Sequence, residues 1–270
     1  MTSGSPKSTK PAALLPPVLA HGADLLARYD VIFCDVWGVI HDGRDAYAAA
    51  CDALMRFRRG GGTVVLVSNA PVPQERVAVM LDERHVPRDA WDEIVSSGDI
   101  ALRHVREVGY ERLYTIGPKA RDSALFSALT AASVPLARAQ AMICTGLVDD
   151  TTETEESYRP MLEQALDLKL PFVCANPDLV VDVAGTLYLC AGAIADLYAR
   201  LGGEVFWAGK PHASAYASAH VAAERLRDAA VAKSRILAIG DAVRTDLTGA
   251  QRAGVDALFI AAGIHRDELI

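Results

Sequence analysis

The feature that most constrains this 270-residue chain is an alternation of short apolar runs with amphipathic stretches of helical length. "VIFC" (31–34) reads as a buried strand, and "AYAAACDALMRFRR" after it reads as a helix stopped at Gly60, Gly61 and Gly62. Glycine at that point takes a left-handed C-terminal cap without strain. "TVVLVSN" is the next strand, "PQERVAVMLDERH" a helix with Pro73 at its start, and "EIVSS" a strand leading into a helix through Val108. The pattern then restarts with "RLYTIG", a helix over 119–132, "AMICTG", a helix over 154–168, "PFVCAN" and a helix near 191–201. It closes with "EVFWAG", a helix over 213–227, "RILAIGD", a helix over 245–253 and "ALFIAAG". Strands separated by helices of this length imply an α/β protein with parallel sheets joined by right-handed crossovers.

Composition narrows the classes. A hydrophobic fraction of 51% supports a real core, and a net charge of −7 argues against a nucleic-acid partner, which would call for a basic stripe. The five cysteines, Cys34, Cys51, Cys144, Cys174 and Cys190, form no C-x-x-C pair and read as small apolar residues in a reducing compartment. Residues 1–27 begin with a Pro-, Ser- and Lys-rich arm, expected to be disordered, whose apolar run is broken by Pro16 and Pro17. No segment approaches the roughly 20 apolar residues of a membrane helix. A cytoplasmic protein with no membrane partner is expected. The acidic run "DDTTETEE" (149–156) reads as helix-start chemistry.

Polar residues fall where strands end. Asp35 ends the first strand, Ser68 and Asn69 the second; Lys210 follows "EVFWAG", and Asp241 ends "RILAIGD", with Asp246 five residues on. Strand carboxyl ends gather at one edge of an open parallel sheet, where ligands bind. Three carboxylates brought together repel one another, and a hard divalent cation such as magnesium relieves that repulsion. A carboxylate held on one oxygen can attack phosphorus with the other, while lysine, serine and asparagine hold phosphoryl oxygens.

The motifs "DVWGVIHDG", "VSNA", "GKPH" and "GDAVRTDLTGA" occur in that order over roughly residues 28–265. Together they resemble the haloacid dehalogenase-like hydrolase superfamily, class IIA, the sugar-phosphate and nitrophenyl-phosphate phosphatases. The resemblance implies a Rossmann-like doubly wound core over 28–109 and 205–270, with an inserted α/β cap over 110–204 that closes on the site. It implies Asp35 as nucleophile, with Ser68, Asn69 and Lys210 on the phosphoryl group. Mg2+ would be held by Asp35, the carbonyl of Trp37, Asp241 and Asp246. "CANPD" and "CAGA" resemble substrate-facing cap segments, which makes Asn176 and Asp178 substrate candidates; a turn at Asn-Pro is the competing reading. The expected partner is a small phosphorylated metabolite, and any homodimer is expected to form through the cap.

One position departs from the family pattern. The first motif is D-x-D, whose second aspartate donates and accepts the proton, and here that position is Trp37. Its carbonyl can still bind a cation, but its side chain cannot move a proton. General acid–base catalysis contributes about 10²–10⁴-fold, so its loss weakens a site without emptying it, least for acidic leaving groups. Three readings stay open. Another group, with His41 and Asp42 closest in sequence, replaces the acid; turnover is slow; or the chain binds phosphoesters without hydrolysing them. Hydrolysis at carbon ranks lower, since it needs no metal and phosphate site. No G-x-G-x-x-G supports a nucleotide-dependent oxidoreductase.

Overall fold

The computed structural model describes residues 17–19, 21–183 and 185–261. Most of the arm expected over 1–27 lies outside the described residues. Within it, Ala23–Leu26 forms a single helical turn, and Leu25 and Leu26 pack on buried core residues. The end of that segment therefore belongs with the core.

The strands in chain order are β1 (Val31–Cys34), β2 (Thr63–Ser68), β3 (Glu93–Ser96), β4 (Arg112–Ile116), β5 (Ala132–Ser133) and β6 (Ala141–Cys144). They continue with β7 (Phe172–Cys174), β8 (Val180–Val183), β9 (Thr186–Leu189), β10 (Val205–Trp207), β11 (Ile236–Gly240) and β12 (Asp256–Phe259). One five-stranded sheet runs β12-β11-β1-β2-β3 and a second runs β10-β7-β6-β4-β5. Neighbouring strands are parallel throughout both sheets, as the alternation implies. Strand β1 lies between β11 and β2, so its four residues are buried on both faces, which is why the run is uninterrupted. The chain winds outward from β1 in one direction through β2 and β3, and in the other through β11 and β12. The crevice for a ligand opens at that reversal.

Side chains alternate across the first sheet. Val31, Phe33, Val65 and Val67 join a cluster that continues into the second sheet through Leu113, Ile143 and Val173. Ile32, Cys34, Val64 and Leu66 pack on the opposite face. The helix Ala213–Arg227 lies on β2 through Ala215, Ala219, Ala222 and Ala223, whose small side chains allow close approach. The glycine stop after Arg59 is a complete Schellman closure. Gly61 takes φ +89, its N–H donates to Arg58 C=O at 2.9 Å, and Gly62 N–H donates to Phe57 C=O at 3.1 Å.

The structure differs from the sequence expectation at four places. Strand β10 pairs with β7 in the second sheet, so residues 205–207 belong with the insert, and the return to the core falls after Trp207. The helix expected over 119–132 is confined to Ser123–Ala128, because Ala132 and Ser133 must extend to pair with Arg112 and Leu113. Pro73 is the N-cap of Gln74–Asp82 and not its first residue; Gln74 N–H is satisfied by the Asp99 carboxylate at 2.9 Å. Strands β8 and β9 form an antiparallel hairpin that was not expected. The acidic run does start a helix: Thr154 and Ser157 form a reciprocal capping box. The five cysteines are free and buried. No helix among the described residues is long and apolar enough to cross a membrane.

Ile32 is fully buried at the centre of the first sheet. Ile32→Ala is expected to lower unfolding stability by about 2–5 kcal/mol, read by chemical denaturation. A loss below about 1 kcal/mol would contradict the packing described.

Candidate active site

The site grows out of the ends of β1 and β11. Asp35 follows β1 directly and its N–H donates to Ile239 C=O at 2.8 Å, which fixes it beside the end of β11. The chain then turns sharply. Gly38 takes φ +78, and a Cβ there would stand 2.1 Å from Asp241 Oδ2, so the turn closes directly on the second carboxylate. Gly240 serves the same purpose one strand over, since a Cβ would fall 2.1 Å from Asp246 Cγ. Asp246 sits in the π-helical turn Val243–Leu247. Its backbone carbonyl accepts from Tyr216 OH at 2.9 Å, and its Oδ2 accepts from Ala242 N–H at 3.2 Å.

Lys210 joins these pieces. Its Nζ lies 2.5 Å from Asp35 Oδ1 and 2.7 Å from Asp246 Oδ1, and the residue is 3% exposed. One oxygen from each of Asp35, Asp241 and Asp246 lies within 4.8 Å of the others. Burial pushes the Asp35 carboxyl well above its usual range, Asp246 and Asp241 add to that, and Lys210 opposes it. Burial alone would lower the lysine, but Asp246 and Asp35 outweigh it and hold its ammonium charged. The oxygens of three carboxyl groups converge beside one ammonium, which contacts two of them. A hard dication with oxygen ligands suits that donor set.

The remaining candidates divide. Asp35, Trp37, Ser68, Asn69, Asn176, Asp178, Lys210 and Asp241 line one cavity of about 630 Å³. Ser68 Oγ accepts from Ala70 N–H at 3.2 Å and keeps its own hydrogen to donate. Asn69 is differently employed. Its Oδ1 accepts from Lys210 N–H at 2.8 Å, while its Nδ2 donates to Lys210 C=O at 3.1 Å and to Asp178 Oδ1 at 2.9 Å. Its amide clamps the lysine backbone and leaves no donor for a phosphoryl oxygen. Gly209 makes the clamp possible, since a Cβ there would meet Asn69 Oδ1 at 2.5 Å. Asn176 Oδ1 accepts from Asp178 N–H at 3.1 Å, so the Asn-Pro turn is real, and Asp178 ties the insert to the core through Asn69.

His41 and Asp42 have turn roles, and neither lines the cavity. His41 is 3% exposed and its Nδ1 accepts from Gly43 N–H at 3.0 Å. Burial and the Arg84 guanidinium depress its pKa to about 4. Asp42 Oδ1 accepts from Arg44 N–H and Asp45 N–H at 2.8 and 2.9 Å, which holds its carboxyl below the usual range. The Trp37 ring packs edge-on to His41 at 5.2 Å and over Gly43, whose φ of +92 and missing Cβ make room for it. Sequence reasoning missed the hairpin, which lines the cavity with Val180, Val181, Asp182 and Leu187. The alternation in "VVDV" and "TLYL" was its available signal.

Comparisons with known proteins agree with this geometry. A haloacid dehalogenase-like hydrolase family model matches residues 32–128, and a second model, HAD-hydrolase-like, matches 207–270. No curated protein matches the sequence. A haloacid dehalogenase-like hydrolase from Brucella suis 1330 is 44% identical with a TM-score of 0.85, over 93% of this chain and 91% of that one. Two more distant structures share the fold. A glycerol phosphate phosphatase from Mycobacterium tuberculosis in complex with calcium is 22% identical with a TM-score of 0.65, over 89% of this chain and 68% of that one. A 4-nitrophenylphosphatase from Thermotoga maritima is 20% identical with a TM-score of 0.67, over 88% of each. The strand-end carboxylates, the lysine that joins them and the 44% identical relative lead to one conclusion: the chain belongs to the haloacid dehalogenase-like hydrolase family.

Proposed function

We propose that the chain hydrolyses small phosphate monoesters, of the sugar-phosphate or nitrophenyl-phosphate kind, through a phosphoryl group carried on Asp35. The observation that carries this reading is Lys210 Nζ bridging Asp35 and Asp246 beside Asp241. Asp35, Asp241 and Asp246, with the Trp37 carbonyl, would hold Mg2+. The ion supplies charge neutralisation for the incoming phosphate.

The chain's own residues do the rest. The Asp35 carboxylate attacks phosphorus while Lys210 neutralises charge on the phosphoryl oxygens and keeps Asp35 aimed. The Ser68 hydroxyl donates to the same oxygens. Asn69 acts one step back, by fixing the lysine backbone, and Gly209 lets it do so. The insert shields the site from water, and the Asp178–Asn69 bond couples its position to that of the lysine. A second reading is favoured by Trp37 alone: with no carboxylate at that position, the site would bind phosphoesters and turn them over poorly.

Purified protein is expected to release 4-nitrophenol from 4-nitrophenyl phosphate with Mg2+ and to stop when EDTA removes it. Asp35→Asn should lose about 10³-fold or more in kcat. Metal-dependent ester binding without turnover would favour the second reading. Asn69→Ala leaves the nucleophile in place but frees the lysine backbone, so kcat should fall about 10²-fold with the metal affinity unchanged. Equal rates in that variant would show that the clamp has no part in positioning.

A further inference from the structure

The cavity of about 630 Å³ is far larger than a phosphoryl group, so its walls face the rest of the ester. Two cationic side chains line it, Lys210 and Arg244. Lys210 is committed to Asp35 and Asp246. Arg244 is not. It stands in the π-helical turn Val243–Leu247, is exposed, and makes no hydrogen bond or ion pair among the described residues. Thr245 comes next in the turn, lines the same cavity and is 8% exposed. Its hydroxyl has no partner among the described residues. A guanidinium and a hydroxyl side by side are donors for an anion.

The insert brings different chemistry to the cavity. Asn176 Oδ1 accepts from Asp178 N–H, Asp178 Oδ1 accepts from Asn69, and Asp182 Oδ1 accepts from Gly185 N–H at 2.7 Å. Its two carboxylates repel an anion, which leaves the core turn as the place for one. The charge beside that turn agrees. Burial, Arg252 and Arg244 together oppose protonation of His212 and depress its pKa to about 4.

Resting on the hydrolase reading above, we propose that Arg244 and Thr245 select esters whose leaving part carries a second anionic group, a carboxylate or a further phosphate. The guanidinium fork takes two oxygens of that group and the Thr245 hydroxyl donates to it. The ester is then held at both ends, its phosphoryl group by Lys210 and Ser68 and its far end by the turn. One turn thus supplies Asp241 and Asp246 on its flanks and the specificity donors between them. A neutral body leaves the guanidinium in water and gains nothing from it. The distal anion takes no part in the reaction, so the contact is equal in ground and transition states and acts on KM.

Two measurements on the full chain with Mg2+ test this. The first is calorimetric binding of three phosphonates that are not hydrolysed: propylphosphonate, 3-phosphonopropionate and propane-1,3-diphosphonate. At least one of the two doubly anionic compounds should bind about tenfold tighter than propylphosphonate, and the tighter of them names the group. Arg244→Gln should erase that margin. Arg244→Lys, which keeps the charge and loses the fork, should retain part of it. Thr245→Val should lower it about threefold. Arg252→Gln should leave it in place, because a general positive field is not the proposed contact. Equal affinity of all three phosphonates, a margin that survives Arg244→Gln, or one that Arg252→Gln erases equally would overturn the inference. The second measurement is hydrolysis of 2-carboxyethyl phosphate against propyl phosphate. The ratio of their kcat/KM values should favour the acid about tenfold and fall in Arg244→Gln, with the change carried by KM. A fall carried by kcat alone would overturn the inference. No turnover of any ester would overturn the hydrolase reading, and the phosphonates would still decide whether the turn reads a second anion.

Discussion

The ammonium of Lys210, buried between Asp35 and Asp246, is the contact on which the rest of the site depends. Charges taken out of water carry a desolvation penalty of several kcal/mol each, recovered only when partners and hydrogen bonds are well placed. The partners here come from the ends of different strands. They meet only if β1 and β11 lie side by side and the chain returns from the insert at the right height. Gly38 and Gly240 permit the carboxylates to close in, Tyr216 holds the Asp246 backbone, and Asn69 holds the backbone of Lys210 on both sides. The lysine contacts two of the three carboxyl groups, and the convergence of an oxygen from each of Asp35, Asp241 and Asp246 suits a hard dication.

Much of this arrangement was legible before any coordinates. Parallel strands covered on both faces are continuous apolar runs, so "VIFC" and "RILAIG" announced themselves, and each ended in the carboxylate that matters. What stayed hidden depended on distant partners. The role of Asn69 is set by Lys210, 141 residues away, and sequence alone suggested a phosphoryl donor instead. The hairpin β8–β9 is partly exposed on both strands, so its apolar residues lacked the density of a core strand. The boundary near residue 205 was misplaced because "EVFWAG" reads equally well as a strand of either sheet; only its pairing with β7 decides. His41 looked chemically eligible in the motif, and burial against Trp37 and Gly43 removed it from the cavity.

Trp37 is then less a missing carboxylate than a different component. The glycine at position 43 and the edge-on contact with His41 hold its ring at the cavity wall, which a side chain merely tolerated there would not require. The turn that follows Asp35 thus sets the character of the space beside it. Asp35 and the Trp37 wall are separated by a single residue, Val36, which is itself buried.

The most direct test of convergence at the strand ends is a crystal structure of the protein with Mg2+ and beryllium fluoride, an analogue of a phosphorylated carboxylate. The account predicts trifluoroberyllate on an Asp35 carboxylate oxygen, contacted by Lys210 Nζ, with the ion coordinated by Asp35 and Asp241. Beryllium fluoride bound away from Asp35, or an ion held without Asp241, would contradict it.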